Sequence, residues 1–143
     1  QLRCGGEAPG GELSSGWFYR PTVLDGCHTS MDCVQDESFG PVLTVETFRG
    51  DTPQEAEDAA VALANDTIYG LAGAVWTENA GRAARVARRL RHGTVWVNET
   101  QHLSPMAAFG GMKQSGVGVE GGVDGLLEYT DAQTIVRRRK AAA

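Results

Sequence analysis

Two stretches of the chain carry the three-to-four-residue apolar spacing of an amphipathic helix. In the first, Ala56, Ala59, Ala60 and Leu63 fall at i, i+3, i+4 and i+7, one face of a helix. Thr52-Pro53-Gln54-Glu55 precedes them in the order of a capping box, with proline at the first helical position. Asn65-Asp66 ends the pattern. In the second stretch Ala83, Val86, Ala87 and Leu90 form the stripe, and the pattern predicts a helix from about Asn79 to Arg91, stopped by Gly93. Arg82, Arg85, Arg88, Arg89 and Arg91 lie mostly off that stripe and read as a solvated face.

Runs of strand length surround the helices. Residues 41–48 (PVLTVETF) are rich in β-branched positions. Residues 71–77 form a short apolar run, and residues 93–98 (GTVWVN) are apolar enough for a central parallel strand. Residues 17–24 read as extended but are interrupted by Pro21, which predicts an edge or irregular strand. Residues 5–16 are rich in Gly, Ser and Pro and read as a loop. The middle of the chain is thus β-α-β-α-β, with helices long enough for right-handed crossovers. The predicted class is α/β, with a partial parallel sheet. A glycine-rich loop follows, then a short helix near 122–128, and then a last strand over residues 129–138. An uncovered strand of that kind pairs with another chain.

Composition narrows the function classes. The 143 residues carry a net charge of −5, which opposes a nucleic-acid or anionic-membrane partner. No apolar run approaches a membrane span, and no secretory signal is visible at Gln1 onwards, so the expected compartment is the cytoplasm. Cys4, Cys27 and Cys33 form no C-x-x-C pair and no zinc spacing. The odd count suits a reducing compartment, and free cysteine usually serves as a small buried hydrophobe. No metal site is predicted. The chain opens on QLRCGGEAPGG without an initiator Met and closes on RRRKAAA, so it is expected to be a piece of a longer protein. The basic run Arg137–Lys140 reads as a solvated tail.

One motif invites a nucleotide. Gly116-Val117-Gly118-Val119-Glu120-Gly121 is a literal G-x-G-x-x-G. A dinucleotide turn needs a buried strand before it, a helix after it and an acid about 20 residues further on. Here residues 105–114 read as an irregular loop, and 136–140 hold no acid. The expectation is a tight glycine loop that holds no nucleotide.

Four stretches together resemble the NAD(P)-dependent aldehyde dehydrogenases. Gln35-Asp36-Glu37-Ser38-Phe39-Gly40-Pro41 is similar to their E-E-x-F-G-P segment. Ala64-Asn65-Asp66-Thr67-Ile68-Tyr69-Gly70-Leu71-Ala72 is similar to A-N-x-x-x-Y-G-L-A, and Gly93–Asn98 to G-x-V-W-V-N. Phe109-Gly110-Gly111-Met112-Lys113-Gln114-Ser115-Gly116-Val117-Gly118 is similar to F-G-G-x-K-x-S-G-x-G. Two positions depart from the pattern: Ala108 stands where Pro usually precedes Phe-Gly-Gly, and Val119 where Arg often precedes Glu. The resemblance covers nearly the whole chain and places it in the C-terminal third of such an enzyme. Residues 1–128 would be the later part of the catalytic domain. Residues 129–143 would be an oligomerisation strand with a basic tail.

The resemblance implies a mechanism. A cysteine thiolate attacks an aldehyde, hydride passes to NAD or NADP, and water activated by a glutamate releases the acid. In the family those reacting groups and the dinucleotide domain precede this segment, so no catalytic residue is assigned here and the isolated chain is expected to be inactive. Glu37 matches the carboxylate that binds the nicotinamide-side ribose hydroxyls, and Phe39 the aromatic near the nicotinamide. Phe109 matches an aromatic of the substrate tunnel, with Gln101, His102 and Leu103 in the variable loop that shapes it. Asn98 is expected to be a structural hydrogen-bonding residue. The implied partners are an aldehyde and further copies of the chain through the C-terminal strand. The rival reading is a non-catalytic oligomerisation or interaction module built on the same fold.

Overall fold

The computed structural model describes residues 1–139. The described residues form three small sheets, two long helices that pack together and two short α-helices. β1 (Leu2–Cys4) runs antiparallel to β2 (Thr22–Asp25), and β2 runs parallel to β3 (Val42–Val45), with Thr22 opposite Val42 and Asp25 opposite Val45. A short helix α1 (Asp32–Gln35) lies in the β2–β3 connection. Helix α2 (Pro53–Asn65) leads to β4 (Tyr69–Gly70) and β5 (Ala72–Val75). Helix α3 (Ala80–Arg89) then crosses over to β6 (Thr94–Val97), which pairs in parallel with β5. β7 (Met112–Lys113) closes a two-residue antiparallel ribbon with β4, and α4 spans Gly122–Leu127.

The long helices form where the side-chain pattern places them. Thr52 Oγ1 accepts from the Glu55 N–H at 3.2 Å, and the Glu55 carboxylate accepts from the Thr52 N–H at 3.2 Å, a complete capping box. Asn79 caps α3 by accepting from the Arg82 N–H at 2.8 Å. Asn65 joins the two helix ends. Its amide donates to Arg89 O at 2.9 Å and accepts from the Arg91 N–H at 2.8 Å.

Four expectations need correction. The strand from residues 17–24 is central to its sheet, not at an edge. It starts at Thr22, one residue past Pro21, so the ladder loses no donor to the proline. Among the described residues the β-α-β-α-β stretch does not share one sheet, because β3 pairs with β2 and β5 pairs with β6. Residues 129–139 form no strand. A strand needs a partner ladder for its N–H and C=O groups, and Ile135 and Val136 stand 83% and 90% exposed. Lys140, the last of the basic run, and the remainder of the 129–143 segment lie outside the described residues. The arginine face, finally, is not purely solvated. Arg82, Arg85 and Arg89 converge on the buried Glu57, with Arg85 donating to it at 2.9 and 3.3 Å.

Little of the apolar surface is closed off. Among the described residues only Val61 and Ala83 are buried apolar side chains, and neither is completely closed off from solvent. The accessible surface is 11425 Å² for 15.2 kDa, about 60% more than a compact monomer of that mass exposes. An open groove of about 570 Å³ runs between the helices and β5, with Phe48, Trp76, Val86 and Leu90 among its walls. The fold is a scaffold with unfilled apolar faces.

Candidate functional site

Two cavities gather the residues singled out in the sequence. The first, of about 480 Å³, is lined by Glu37 and Phe39 together with Gln35, Tyr69, His92 and Gln114. Its rim is built by α1 and the turn after it. The Gln35 side chain donates to Asp66 O at 2.9 Å and so fastens α1 to the end of α2. Phe39 stands at φ 45° and is 91% exposed. A left-handed backbone at an aromatic residue is strained, and strain of that kind concentrates at functional loops.

The same cavity holds a residue that the sequence pattern did not mark. His92 precedes β6, and its Nδ1 is buried without a hydrogen-bond partner. Burial pushes its imidazole below its ordinary value, and the Lys113 ammonium adds to the effect, so His92 is neutral near pH 7. Lys113, at φ 54°, donates to Asn65 O at 3.1 Å and Thr67 O at 3.0 Å. It ties β7 to the chain leaving α2. His92 sits in no motif, and only its placement over Gly73 reveals it: a Cβ at Gly73 would come within 3.3 Å of the His92 ring.

The second cavity, of about 570 Å³, brings together Gln101, Leu103 and Phe109 with Trp96 and Thr100. The loop that carries them is anchored at both ends. Asn98, at φ 53°, donates to Thr77 O at 3.0 Å and accepts from the Thr77 N–H at 2.8 Å, the hydrogen-bonding role expected of it. The Trp96 indole N–H donates to His102 O at 2.9 Å. The His102 imidazole lies outside the cavity and faces Glu99 at 3.4 Å. So His102 contributes its carbonyl to the loop, and its ring does not line the cavity.

Leu71 and Ala72 line both cavities. They sit at the junction of β4 and β5, so one short segment forms a wall common to the Glu37 side and the Phe109 side. No cysteine lines either cavity, and neither holds a nucleophile paired with a base. Among the described residues no His, Cys, Asp or Glu cluster could hold a metal, and no helix is long and apolar enough to cross a membrane.

The glycine motif is a turn device. Gly116, Gly118 and Gly121 have φ of 132°, 80° and 70°, values that favour glycine. The loop lies beside acids: Glu120 and Glu128 line the adjoining hollow, and a Cβ on Gly118 would meet the Glu128 carboxylate at 3.7 Å. Carboxylates there oppose a pyrophosphate. The loop instead closes on itself, through reciprocal backbone hydrogen bonds between Phe109 and Glu120 at 2.7 and 2.8 Å.

An α/β scaffold of this connectivity, with its two adjoining cavities, matches one family along nearly its whole length. Residues 1–135 match the Aldehyde dehydrogenase family, and the chain belongs to it. It is 49% identical over 144 residues to betaine aldehyde dehydrogenase of Bacillus subtilis (strain 168), a match covering 100% of this chain and 28% of that protein. It is 43% identical over 137 residues to (Z)-2-((N-methylformamido)methylene)-5-hydroxybutyrolactone dehydrogenase of Acinetobacter baylyi, covering 94% of this chain and 26% of that protein. The crystal structure of betaine aldehyde dehydrogenase from Staphylococcus aureus in complex with NAD+ superposes with a TM-score of 0.82 at 48% identity, covering 90% of this chain and 25% of that one. The chain spans about a quarter of the length of the relatives it matches.

Proposed function

We propose that this chain is the C-terminal part of the catalytic domain of an NAD(P)-dependent aldehyde dehydrogenase, and that it supplies one wall of the cofactor site and one wall of the substrate site. The observation that carries the reading is the meeting of the two cavities at Leu71 and Ala72. Hydride transfer requires the aldehyde carbon and the hydride acceptor to come into contact. Adjoining cavities with one common wall suit that requirement.

The residues fit the neutral end of a dinucleotide. A carboxylate accepts from two vicinal hydroxyls, and Glu37 presents one at the cavity rim beside an exposed aromatic. Among the described residues no arginine or lysine lines that cavity, so the fit is to a ribose and ring and not to phosphates. In this reading Glu37 holds the ribose and Phe39 packs beside the ring. The bound nicotinamide supplies the hydride acceptor. Neutral His92 places no positive charge beside the cationic ring. Gln101, Leu103 and Phe109 orient the aldehyde, and Trp96 holds their loop through His102 O. Trp96 and Phe109 give that cavity two aromatic walls, which suit an apolar or quaternary-ammonium aldehyde. Residues 129–143 then act in homo-oligomer formation, where a neighbouring copy supplies the absent ladder.

The isolated chain places no cysteine thiol beside either cavity and is expected to produce no NADH from NAD+ and aldehydes. A chimera tests the positive half of the reading. This chain replaces the corresponding segment of the Bacillus subtilis relative, and NADH formation is followed by absorbance. We expect turnover, with Glu37→Gln raising KM for NAD+ about tenfold or more, as loss of a charge-assisted hydrogen bond implies. A soluble, assembled chimera without turnover would sink the reading.

A further inference from the structure

We propose that His92 recognises the carboxamide of a nicotinamide held in the cavity of Glu37 and Phe39, with its Nε2–H donating to the carboxamide oxygen. This role depends on the cofactor reading of that cavity. Several polar side chains there are already committed to the scaffold. Gln35 donates to Asp66 O at 2.9 Å, Thr67 Oγ1 accepts from the Tyr69 N–H at 3.2 Å, and Ser115 Oγ accepts from the Gly70 N–H at 2.8 Å. His92 lines the same cavity, and its Nδ1 has no partner. Its place is nevertheless fixed. The next two backbone N–H groups, of Gly93 and Thr94, donate to Gly70 O at 3.0 Å and Leu71 O at 3.2 Å.

The ring lies against the β5 backbone. A Cβ on Gly73 would sit 3.3 Å from Cγ, 3.4 Å from Nδ1 and 3.6 Å from Cδ2 of His92, which leaves Cε1 and Nε2 on the far edge. A buried N–H without a partner is rarer than an unsatisfied acceptor, and costly. The proton of the neutral imidazole therefore belongs on Nε2, and Nδ1 keeps its lone pair. A neutral donor suits this ligand. The oxidised nicotinamide ring is cationic, so a lysine or arginine serving its carboxamide oxygen would also repel the ring. Lys113, whose charge reaches His92, is turned away from that role and donates to Asn65 O at 3.1 Å and Thr67 O at 3.0 Å. Glu37 on the ribose and His92 on the carboxamide would hold the nucleoside on both sides of its glycosidic bond. Two such contacts fix rotation about that bond, and so select which face of the ring meets the aldehyde across Leu71 and Ala72.

Two measurements test the role. In the native chain, the nitrogen chemical shifts of the His92 ring report its tautomer. A proton on Nε2 is expected, and a proton on Nδ1 overturns the proposal. In the chimera, calorimetry reads Kd for NAD+ and for its analogue with hydrogen in place of the carboxamide. His92→Phe keeps a ring over Gly73 but has no donor. It should weaken NAD+ binding about tenfold and leave the analogue unchanged. His92→Gln restores a donor and should regain most of the lost affinity. Equal weakening of both dinucleotides by His92→Phe, or a change in neither, would overturn the carboxamide contact. Glu37→Gln separates that failure from failure of the cavity reading, because both dinucleotides carry the ribose. It should weaken both alike. If it weakens neither, the cavity does not hold the cofactor and the role of His92 falls with it. If it weakens both while His92→Phe fails to discriminate, only the carboxamide contact is lost.

Discussion

The α2–α3 pair and the segment after α4 are opposites. The helix pair satisfies its polar groups internally: a capping box at one start, an asparagine cap at the other, Asn65 bridging both ends, and a buried carboxylate among three guanidinium groups. Residues 131–139 satisfy almost nothing, and Tyr129, Ile135 and Val136 stand 83–90% exposed. One region carries its own instructions for folding. The other carries apolar, strand-prone residues that pair with no strand among the described residues. The difference is one of completeness: a helix closes its hydrogen bonds within itself, a strand never does.

That contrast can be broken first at a backbone contact. A Cβ on Gly93 would come 1.7 Å from Gly110 O and 2.8 Å from its carbonyl carbon. Neither neighbour is a movable side chain. Gly93→Ala should cost about 3 kcal/mol, read as a fall in the urea midpoint, and should detach the glycine loop from β6. A wild-type midpoint would mean that the two backbones are not locked together.

A smaller loss is expected at the helix pair. Glu57→Gln should lower the melting temperature by several degrees, because three guanidinium groups lose their common counter-charge. Its pH dependence has a definite sign. The hydrogen bond from Arg85 holds the Glu57 carboxyl below its ordinary 4.5. The ion cluster therefore contributes fully above pH 4.5 and is lost as pH falls through the depressed value. Asp58, held down first by its hydrogen bond from Arg89, behaves in the same way. Acid titration of Glu57→Gln should be shallower below pH 4.5 than that of the wild type. Parallel titrations would remove Glu57 from the account of acid sensitivity.

Thr52→Ala removes one half of the capping box and should cost about 1 kcal/mol, measurable by urea denaturation. At the other pole, Val136→Asp should change the stability of the isolated chain by no more than about 0.5 kcal/mol, as for an exposed site without contacts. In the chimera the same change should prevent assembly, read by size-exclusion chromatography with light scattering. An unaltered oligomer would separate residues 129–139 from the interface and leave the contrast with α2–α3 without a function.

What could be read in the sequence follows the same line. Both long helices were legible, because Thr52-Pro53-Gln54-Glu55 and Asn79 are local signals and the stripes through Leu63 and Leu90 repeat over several turns. The strand over residues 94–97 was legible from its apolar run. β1, β4 and β7 were not, since each has only two or three residues and exists through a distant partner. The grouping of Gln101, Leu103 and Phe109 was anticipated through the family motifs. The turning-away of His102 was not, because it depends on a carbonyl that Trp96 engages and a ring that Glu99 draws outward. The convergence of arginines on Glu57 escaped notice for a similar reason. Charge on a helix face looks solvated until the neighbouring helix supplies a buried acid.

The common wall at Leu71 has a consequence for how such a site can diversify. A mutation that trims Leu71 enlarges the hollow beside Gln101 and the hollow beside Glu37 in a single step. If the proposed assignment of the two hollows holds, accommodating a bulkier aldehyde there would also loosen the seat of its reaction partner. Gln101 and Leu103 line one cavity only. Under that same assignment, new substrate preferences should accumulate at those two loop positions, whereas Leu71 is a poor place for selection, natural or directed, to begin.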